Sequence, residues 1–130
     1  MAKYVGIDLG TTTTVVAQMD ERGESLIVPS WLDGQPYTHS AFWFDGQGGR
    51  IPALVGIEAR RLAGLNAGAF VEYKRFLGTS FQFKLGRQSF SPEFLTSTML
   101  DLCLLNLPGR DELSVLTITV PANFANRART

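Results

Sequence analysis

The sequence has little cysteine, no excess charge of either sign and no long apolar run. Its 130 residues include one cysteine, Cys103, so no disulfide can form within the chain and a reducing compartment is expected. Twelve basic and twelve acidic residues cancel, which argues against nucleic acid or an anionic membrane as a partner. Because no segment is apolar and long enough for a signal peptide or a membrane span, we expect a cytoplasmic protein.

Three strands in meander order are predicted at the beginning of the chain, in segments rich in Val, Ile, Tyr and Thr: residues 4–9, 14–19 and 25–28. In the second strand, Val16 is apolar on the face opposite Val15, Ala17 and Met19. This pattern predicts that other elements cover both faces of that strand.

Further along, the pattern predicts a strand at residues 40–44, two short helices at 57–64 and 69–78, a long helix and a last strand at 115–120. The long helix starts at Ser91-Pro92-Glu93, where a capping serine precedes proline and an acid, and it runs to about residue 105. The order strand, helix, strand indicates an α/β sheet with a crossover connection. Cys103 lies on the apolar stripe of the long helix and is expected to be a packed thiol.

The turn between the first two strands has a composition that suits a polyphosphate. Gly10 allows a ligand to approach the backbone and permits positive φ, and Thr11, Thr12 and Thr13 add hydroxyl donors beside the backbone amides. Asp8 precedes the turn, where a carboxylate beside phosphates makes sense through a water-bound Mg²⁺. The alternative is structural, since threonine is common in strands and Asp8 would then face solvent.

The segment "GIDLGTT" resembles the first phosphate loop of the actin, sugar-kinase and heat-shock-chaperone ATPases. Three further segments resemble the DnaK-type, seventy-kilodalton heat-shock chaperones in particular, and they occur in family order: "EYKRFLG", "FSPEFLTSTMLDLC" and "LTITVPANF". Each motif is weak by itself, but the four together span nearly the whole chain and make the resemblance specific.

The resemblance implies an α/β fold of the ribonuclease H-like, actin-like ATPase type, a mixed sheet with helices, of which this chain holds the first lobe. It also implies ATP or ADP with Mg²⁺ as the ligands. By the same resemblance, residues 10–13 would contact the phosphates, Asp8 would lie near Mg²⁺ and its waters, and Lys74 would reach the γ-phosphate and the attacking water. Pro121 and Arg129 would relay the nucleotide state to a peptide-binding domain.

The resemblance further implies a division of the chain and a parent protein. Residues 1–130 would be the N-terminal part of the ATPase domain, with the meander at 3–28, a trimmed upper subdomain at about 30–90, and the helix at about 92–105 and strand at 115–120 returning to the core sheet. The parent would couple ATP hydrolysis to protein folding, with client peptides and co-chaperones as partners. The chain stops soon after Asn123, a candidate helix cap, so we expect a piece of a longer protein that is inactive alone.

Departures from the family pattern leave two alternatives open. The usual "TPS" is Thr38-His39-Ser40, with His39 expected on the surface or in packing, and "VPAYF" is "VPANF". One alternative is a fragment of a sugar-kinase-like phosphotransferase, which shares "GIDxGTT". The other is a non-catalytic half-domain that self-associates through an exposed sheet edge or docks a partner.

Overall fold

The computed structural model describes residues 3–20, 22–109 and 113–119. The strands are β1 (Lys3–Leu9), β2 (Thr13–Met19), β3 (Ser25–Val28), β4 (Thr38–His39), β5 (Ala41–Trp43), β6 (Leu54–Val55), β7 (Ala69–Val71), β8 (Phe83–Leu85), β9 (Gln88–Phe90) and β10 (Leu113–Thr119). The helices are α1 (Ile57–Arg61), a 3₁₀ helix (Tyr73–Phe76) and α2 (Pro92–Leu105).

The main sheet has the order β10-β1-β2-β3, and the short strand β4 also pairs with β2. Strands β1, β2 and β3 form the predicted antiparallel meander. Strand β10 pairs with β1 in parallel, so the chain returns to the sheet through a crossover that contains α2. The sheet is therefore mixed, and its strand order places the carboxyl ends of β1 and β10 side by side.

Helix α2 begins where the sequence predicts it. The hydroxyl of Ser91 accepts a hydrogen bond from the backbone N–H of Phe94 at 3.0 Å, and proline occupies the first turn. The apolar stripe of the helix is buried against the core of the protein at Leu95, Met99 and Cys103. This packing holds α2 across the face of the sheet that carries the buried strand residues Val5 and Ile7.

The opposite face of the main sheet is open in the part of the chain that the structure describes. It carries Tyr4, Met19 and Val115, each more than two fifths exposed, around a shallow depression of about 390 Å³. The expectation that both faces of the second strand are covered is therefore wrong for the described residues. The strand register explains the error, because Val16 pairs with the buried Ile7 whereas Ala17 pairs with Gly6 on the open face.

A second, three-stranded sheet of order β6-β5-β7 packs with the β8–β9 hairpin around aromatic rings. The Phe90 ring lies at the centre of this group, with ring centroids 4.3 Å from Phe44, 5.4 Å from Phe70 and 6.0 Å from Phe94. Phe90 has no exposed surface. Aromatic pairs at these separations add to the free energy of burial, so this aromatic cluster is the main apolar core outside the first sheet.

The helix predicted at residues 69–78 is wrong. Residues Ala69–Val71 form β7, which pairs with β5 through Phe42 and Phe70, and a 3₁₀ helix follows. Between them Glu72 has the left-handed φ of 53°, which no regular helix allows. Pairing with β5 and burial of Phe70 outweigh the local helical preference of this segment.

Two other sequence predictions differ from the structure at their ends. Helix α1 ends at Arg61, earlier than predicted, and Gly64 adopts a positive φ of 80° in the turn that follows. The predicted last strand is present as Leu113–Thr119, while Val120, Pro121, Asn123 and Arg129 lie outside the described residues. Among the helices that are described, none has the length and apolarity needed to cross a membrane.

The thiol of Cys103 is packed as predicted: the residue lies on the buried face of α2 and is 3% exposed. Burial raises the pKa of this thiol from 9.0 to about 12. Between these values the unfolded chain ionises its thiol and the folded chain does not, so the stability falls as the pH rises. At pH 10 we expect the thiol to lower the free energy of unfolding by about 1.4 kcal/mol relative to pH 7.5.

Urea unfolding of the wild type and of Cys103→Ala at both pH values measures this effect. The variant loses buried volume and is expected to be less stable at pH 7.5, but the gap to the wild type should narrow by about 1.4 kcal/mol at pH 10. A gap that is the same at both pH values would contradict the burial of an ionisable thiol.

Candidate functional site

The turn between β1 and β2 consists of Gly10, Thr11 and Thr12. A Cβ atom on residue 10 would collide with the carbonyl oxygen of Thr13 and lie 3.5 Å from its carbonyl carbon. The turn does not use the positive φ that glycine permits, because Gly10 is not among the glycines with positive φ. Glycine is required here for the close approach of two backbone segments.

The three threonines of the predicted phosphate loop differ in exposure. Thr12 is exposed, whereas Thr11 and Thr13 are half-buried. Thr13 begins β2 and lies opposite His39 of β4. The His39 ring packs edge to face on Tyr37 at 5.4 Å between centroids, which is the packing position expected for this histidine. The loop therefore has one exposed threonine and is backed by β4.

Asp8 lies at the carboxyl end of β1, next to the end of β10. Its side chain is exposed, and its Oδ1 accepts a hydrogen bond of 2.7 Å from the hydroxyl of Thr119. The two residues are opposite each other in the parallel pair. Ligands of α/β sheets bind outside the carboxyl ends of parallel strands, so this edge is the expected place for a binding site.

Lys74 lies in the 3₁₀ helix and is buried, with 6% of its surface exposed. Burial lowers the pKa of its ammonium group, and the negative charge of Asp8 acts in the opposite direction and raises it. The two residues therefore interact electrostatically. Lys74 also lines a cleft of about 350 Å³ together with Leu9 and Ile118, the neighbours of Asp8 and Thr119 in their strands.

Contacts on both sides hold the 3₁₀ helix that carries Lys74. Before it, the left-handed Glu72 turns the chain, and its carboxylate lies 3.5 Å from the guanidinium of Arg75. After it, the backbone N–H of Gly78 donates a 2.9 Å hydrogen bond to Oε1 of Glu93 in the first turn of α2. Left-handed backbone at a residue other than glycine is unfavourable and is frequent at functional sites.

This site can bind an anion and balance its charge. Turn amides and threonine hydroxyls are donors for phosphate oxygens, and a partly desolvated ammonium is a strong local positive charge. Among the described residues no three His, Cys, Asp or Glu side chains form a metal-binding group. The residues present fit a Mg²⁺ that arrives with phosphates and keeps its waters, since such an ion needs one or two carboxylates and Asp8 is one.

Comparison with known proteins decides the family. The profile of the Hsp70 protein family matches residues 4–98, which is most of the chain. The chain belongs to the Hsp70 family. The match includes the segments "GIDLGTT" and "EYKRFLG" and the start of α2, whereas "LTITVPANF" lies beyond it.

Two bacterial relatives extend the similarity over almost the whole chain. It is 34% identical to the chaperone protein DnaK of Endomicrobium trichonymphae and 35% identical to that of Elusimicrobium minutum, in each case over 99% of this chain and 21% of the relative. The chain thus spans about one fifth of the length of these relatives. The predicted fold class is confirmed: a mixed α/β sheet with few helices, in the N-terminal region of the actin-like ATPase fold of the Hsp70 family. The sugar-kinase alternative has no support from these matches.

The candidate site includes residues that the sequence patterns did not single out for it. Thr119 contacts Asp8, Glu93 anchors the turn after Lys74, and Ser40 is hydrogen-bonded to the turn at Gly10. The sequence shows that the motif containing Ser40 lacks the usual proline, but it does not indicate that this serine reaches a turn 30 residues away. Thr119 could have been found from the strand pattern, because it ends the strand predicted to return to the core sheet.

Proposed function

We propose that this chain is an ATP-binding segment of an Hsp70-type chaperone and supplies the first phosphate loop and the lysine of the nucleotide site. The observation that carries the proposal is the buried position of Lys74 in a cleft with Leu9 and Ile118, at the carboxyl ends of β1 and β10 and beside a turn that only glycine fits. Family membership supports the same proposal. The residues assigned to the phosphates are Gly10, Thr11, Thr12 and Thr13.

Lys74 and Asp8 have complementary roles in this proposal. The ammonium of Lys74 neutralises negative charge on the terminal phosphate, where a buried and therefore weakly hydrated cation acts strongly. Asp8, oriented by the hydroxyl of Thr119, holds waters at the place where Mg²⁺ accompanies the phosphates. When bound, the ion would neutralise part of the phosphate charge. Phosphoryl transfer of this kind depends on positioning and electrostatics, with no covalent step by the protein.

The wider role is proposed on family membership. The parent protein would be a cytoplasmic chaperone that couples ATP hydrolysis to the binding of client peptides, with co-chaperones as further partners. Pro121 and Arg129 would transmit the nucleotide state to the peptide-binding domain. The division into an opening meander, a trimmed upper subdomain at about residues 30–90 and a returning helix and strand is proposed on the same basis.

A nuclear magnetic resonance titration of the chain with MgATP tests the site. A nucleotide site encloses the phosphates from two sides. One loop and one lysine should therefore bind MgATP weakly, with a millimolar dissociation constant, and ATP turnover should be negligible. We expect the largest amide shifts at Thr11, Thr12 and Thr13. Lys74→Ala should weaken binding by about tenfold, equivalent to about 1.4 kcal/mol.

Lys84→Ala is the matched control, because Lys84 is an exposed lysine on β8 and should not affect the titration. Equal effects of the two substitutions, or no amide shift in the loop at saturating MgATP, would refute the proposed site. A thermal shift at micromolar nucleotide that disappears in Lys74→Ala would show that the site is complete within this chain, against our expectation of weak binding.

Self-association remains the alternative prediction, and the open face of the main sheet around Tyr4, Met19 and Val115 favours it. Sedimentation of the chain over a range of concentrations tests this alternative. A chain that is monomeric at every concentration would refute self-association.

A further inference from the structure

We propose that Ser40 is a positioning residue that fixes the phosphate loop with its amide face outward; this rests on the proposed function of that loop. Ser40 follows β4 and is 3% exposed. Its hydroxyl donates a 2.9 Å hydrogen bond to the carbonyl oxygen of Gly10, and its backbone N–H donates a 2.9 Å hydrogen bond to the carbonyl oxygen of Thr12. One residue thus holds two of the three carbonyls in the turn.

The direction of the remaining hydrogen bond follows from proton counting. The hydroxyl of Thr14 lies 2.9 Å from that of Ser40, and either oxygen could donate. Ser40 has a single hydroxyl proton, which Gly10 accepts, so Thr14 must donate to Ser40. The Ser40 hydroxyl therefore both donates and accepts a hydrogen bond, and these two bonds fix its side-chain rotamer. Thr14 is also buried, so water does not compete for these bonds.

Holding the carbonyls determines where the amides point. The described chain has no cis peptide bonds, and in a trans peptide the C=O and the following N–H point in opposite directions. With the carbonyls of Gly10 and Thr12 directed at Ser40, the N–H groups of Thr11 and Thr13 point away from it. Those two amides are then available to an anion on the outer side of the turn.

Ser40 also lies beside the segment that carries the lysine of the site. Tyr73, which directly precedes Lys74, is buried; burial raises the pKa of its phenol, and the nearby Ser40 hydroxyl opposes this increase by a smaller amount. The Tyr73 hydroxyl has no hydrogen-bond partner among the described residues, so Tyr73 and Ser40 are polar neighbours that do not share a hydrogen bond. Ser40 therefore contacts the loop and is also near the residue that precedes Lys74.

Ser40→Ala tests the role, because it removes the hydroxyl and keeps the backbone N–H and nearly the same volume. Ser30→Ala is the matched control: Ser30 is also buried and accepts hydrogen bonds from the Thr38 hydroxyl and the Leu32 amide, but none of these contacts involves the loop. We expect Ser40→Ala to shift the amide resonances of Thr11 and Thr13, speed amide hydrogen exchange at residue 40 at least tenfold, and weaken MgATP binding about tenfold. Ser30→Ala should change none of these, even if it lowers stability as much.

The two proposals fail in different ways. If the wild type binds MgATP and both variants bind it equally well, Ser40 has no positioning role and the proposed function stands. If the wild type does not respond to MgATP, the proposed function fails, and the resonances and hydrogen exchange of the loop still decide whether Ser40 holds it. Both variants must give dispersed amide spectra, which show that they are folded. If Ser40→Ala unfolds, Thr14→Val replaces it, because this substitution removes the donor to Ser40. Unchanged resonances of Thr11 and Thr13 in Thr14→Val would then refute the role of Ser40.

Discussion

Gly10→Ala is expected to destabilise the chain by about 1–3 kcal/mol and to abolish the phosphate binding proposed for the turn. The added Cβ would collide with the carbonyl oxygen of Thr13, which belongs to the backbone and cannot rotate away as a side chain would. To relieve the collision, β1 and β2 must separate at the turn, where Leu9 lies opposite Thr14. Urea unfolding measures the loss of stability, and titration with MgATP measures the loss of binding.

Gly49→Ala is the matched control for this substitution. Gly49 is exposed, has no atom within 4 Å of an added Cβ and is not among the glycines with positive φ. It should change stability by at most about 0.5 kcal/mol, and replacing a flexible glycine can even stabilise. Equal stability of the two variants would contradict the close approach of residues 10 and 13.

Phe90→Ala is expected to destabilise the chain by about 3–5 kcal/mol, the largest effect among these predictions. The ring has no exposed surface and packs against both Phe44 and Phe70, while the guanidinium of Arg50 lies 4.7 Å from its centroid. Truncation leaves a cavity and removes several aromatic contacts and a cation–π contact. Since domains are stable by only about 5–15 kcal/mol, the variant should unfold at much lower urea concentration.

Phe81→Ala provides the comparison for Phe90→Ala. Phe81 stacks on Phe76 at 4.2 Å between centroids but is 44% exposed, so its truncation opens no closed cavity. We expect less than about half the effect of Phe90→Ala. If the two substitutions shift the unfolding midpoint equally, the aromatic cluster around Phe90 is not a closed core.

The prediction from sequence was accurate where local chemistry decides. The start of α2 follows from the Ser91 cap, and the opening strands follow from their β-branched residues. It failed at residues 69–78, where a helical composition gives a strand, a left-handed residue and a 3₁₀ helix. There the pairing of β7 with β5 and the burial of Phe70 decide the structure, and both depend on residues distant in sequence.

The candidate site divides in the same way. The sequence reveals the motif of Asp8, Gly10 and the threonines, because these residues are neighbours in the chain and their combined chemistry can be recognised from the sequence. Ser40 and Thr119 were not singled out for the site, since each acts on a turn or strand end that only folding brings near. The partial desolvation of Lys74 likewise depends on what surrounds it, which a sequence does not state.

By itself the sequence determined the family, the strand–helix–strand order and the residue types of the proposed phosphate loop, because motifs and capping signals are local and survive as patterns. Only the tertiary structure decided which sheet face is open, which backbone approach makes Gly10 necessary, and that Lys74 is buried where Asp8 acts on it. The strand register, the burial of a side chain and the electrostatic field at a site all depend on residues from distant parts of the chain. They are established only after folding has brought those parts together.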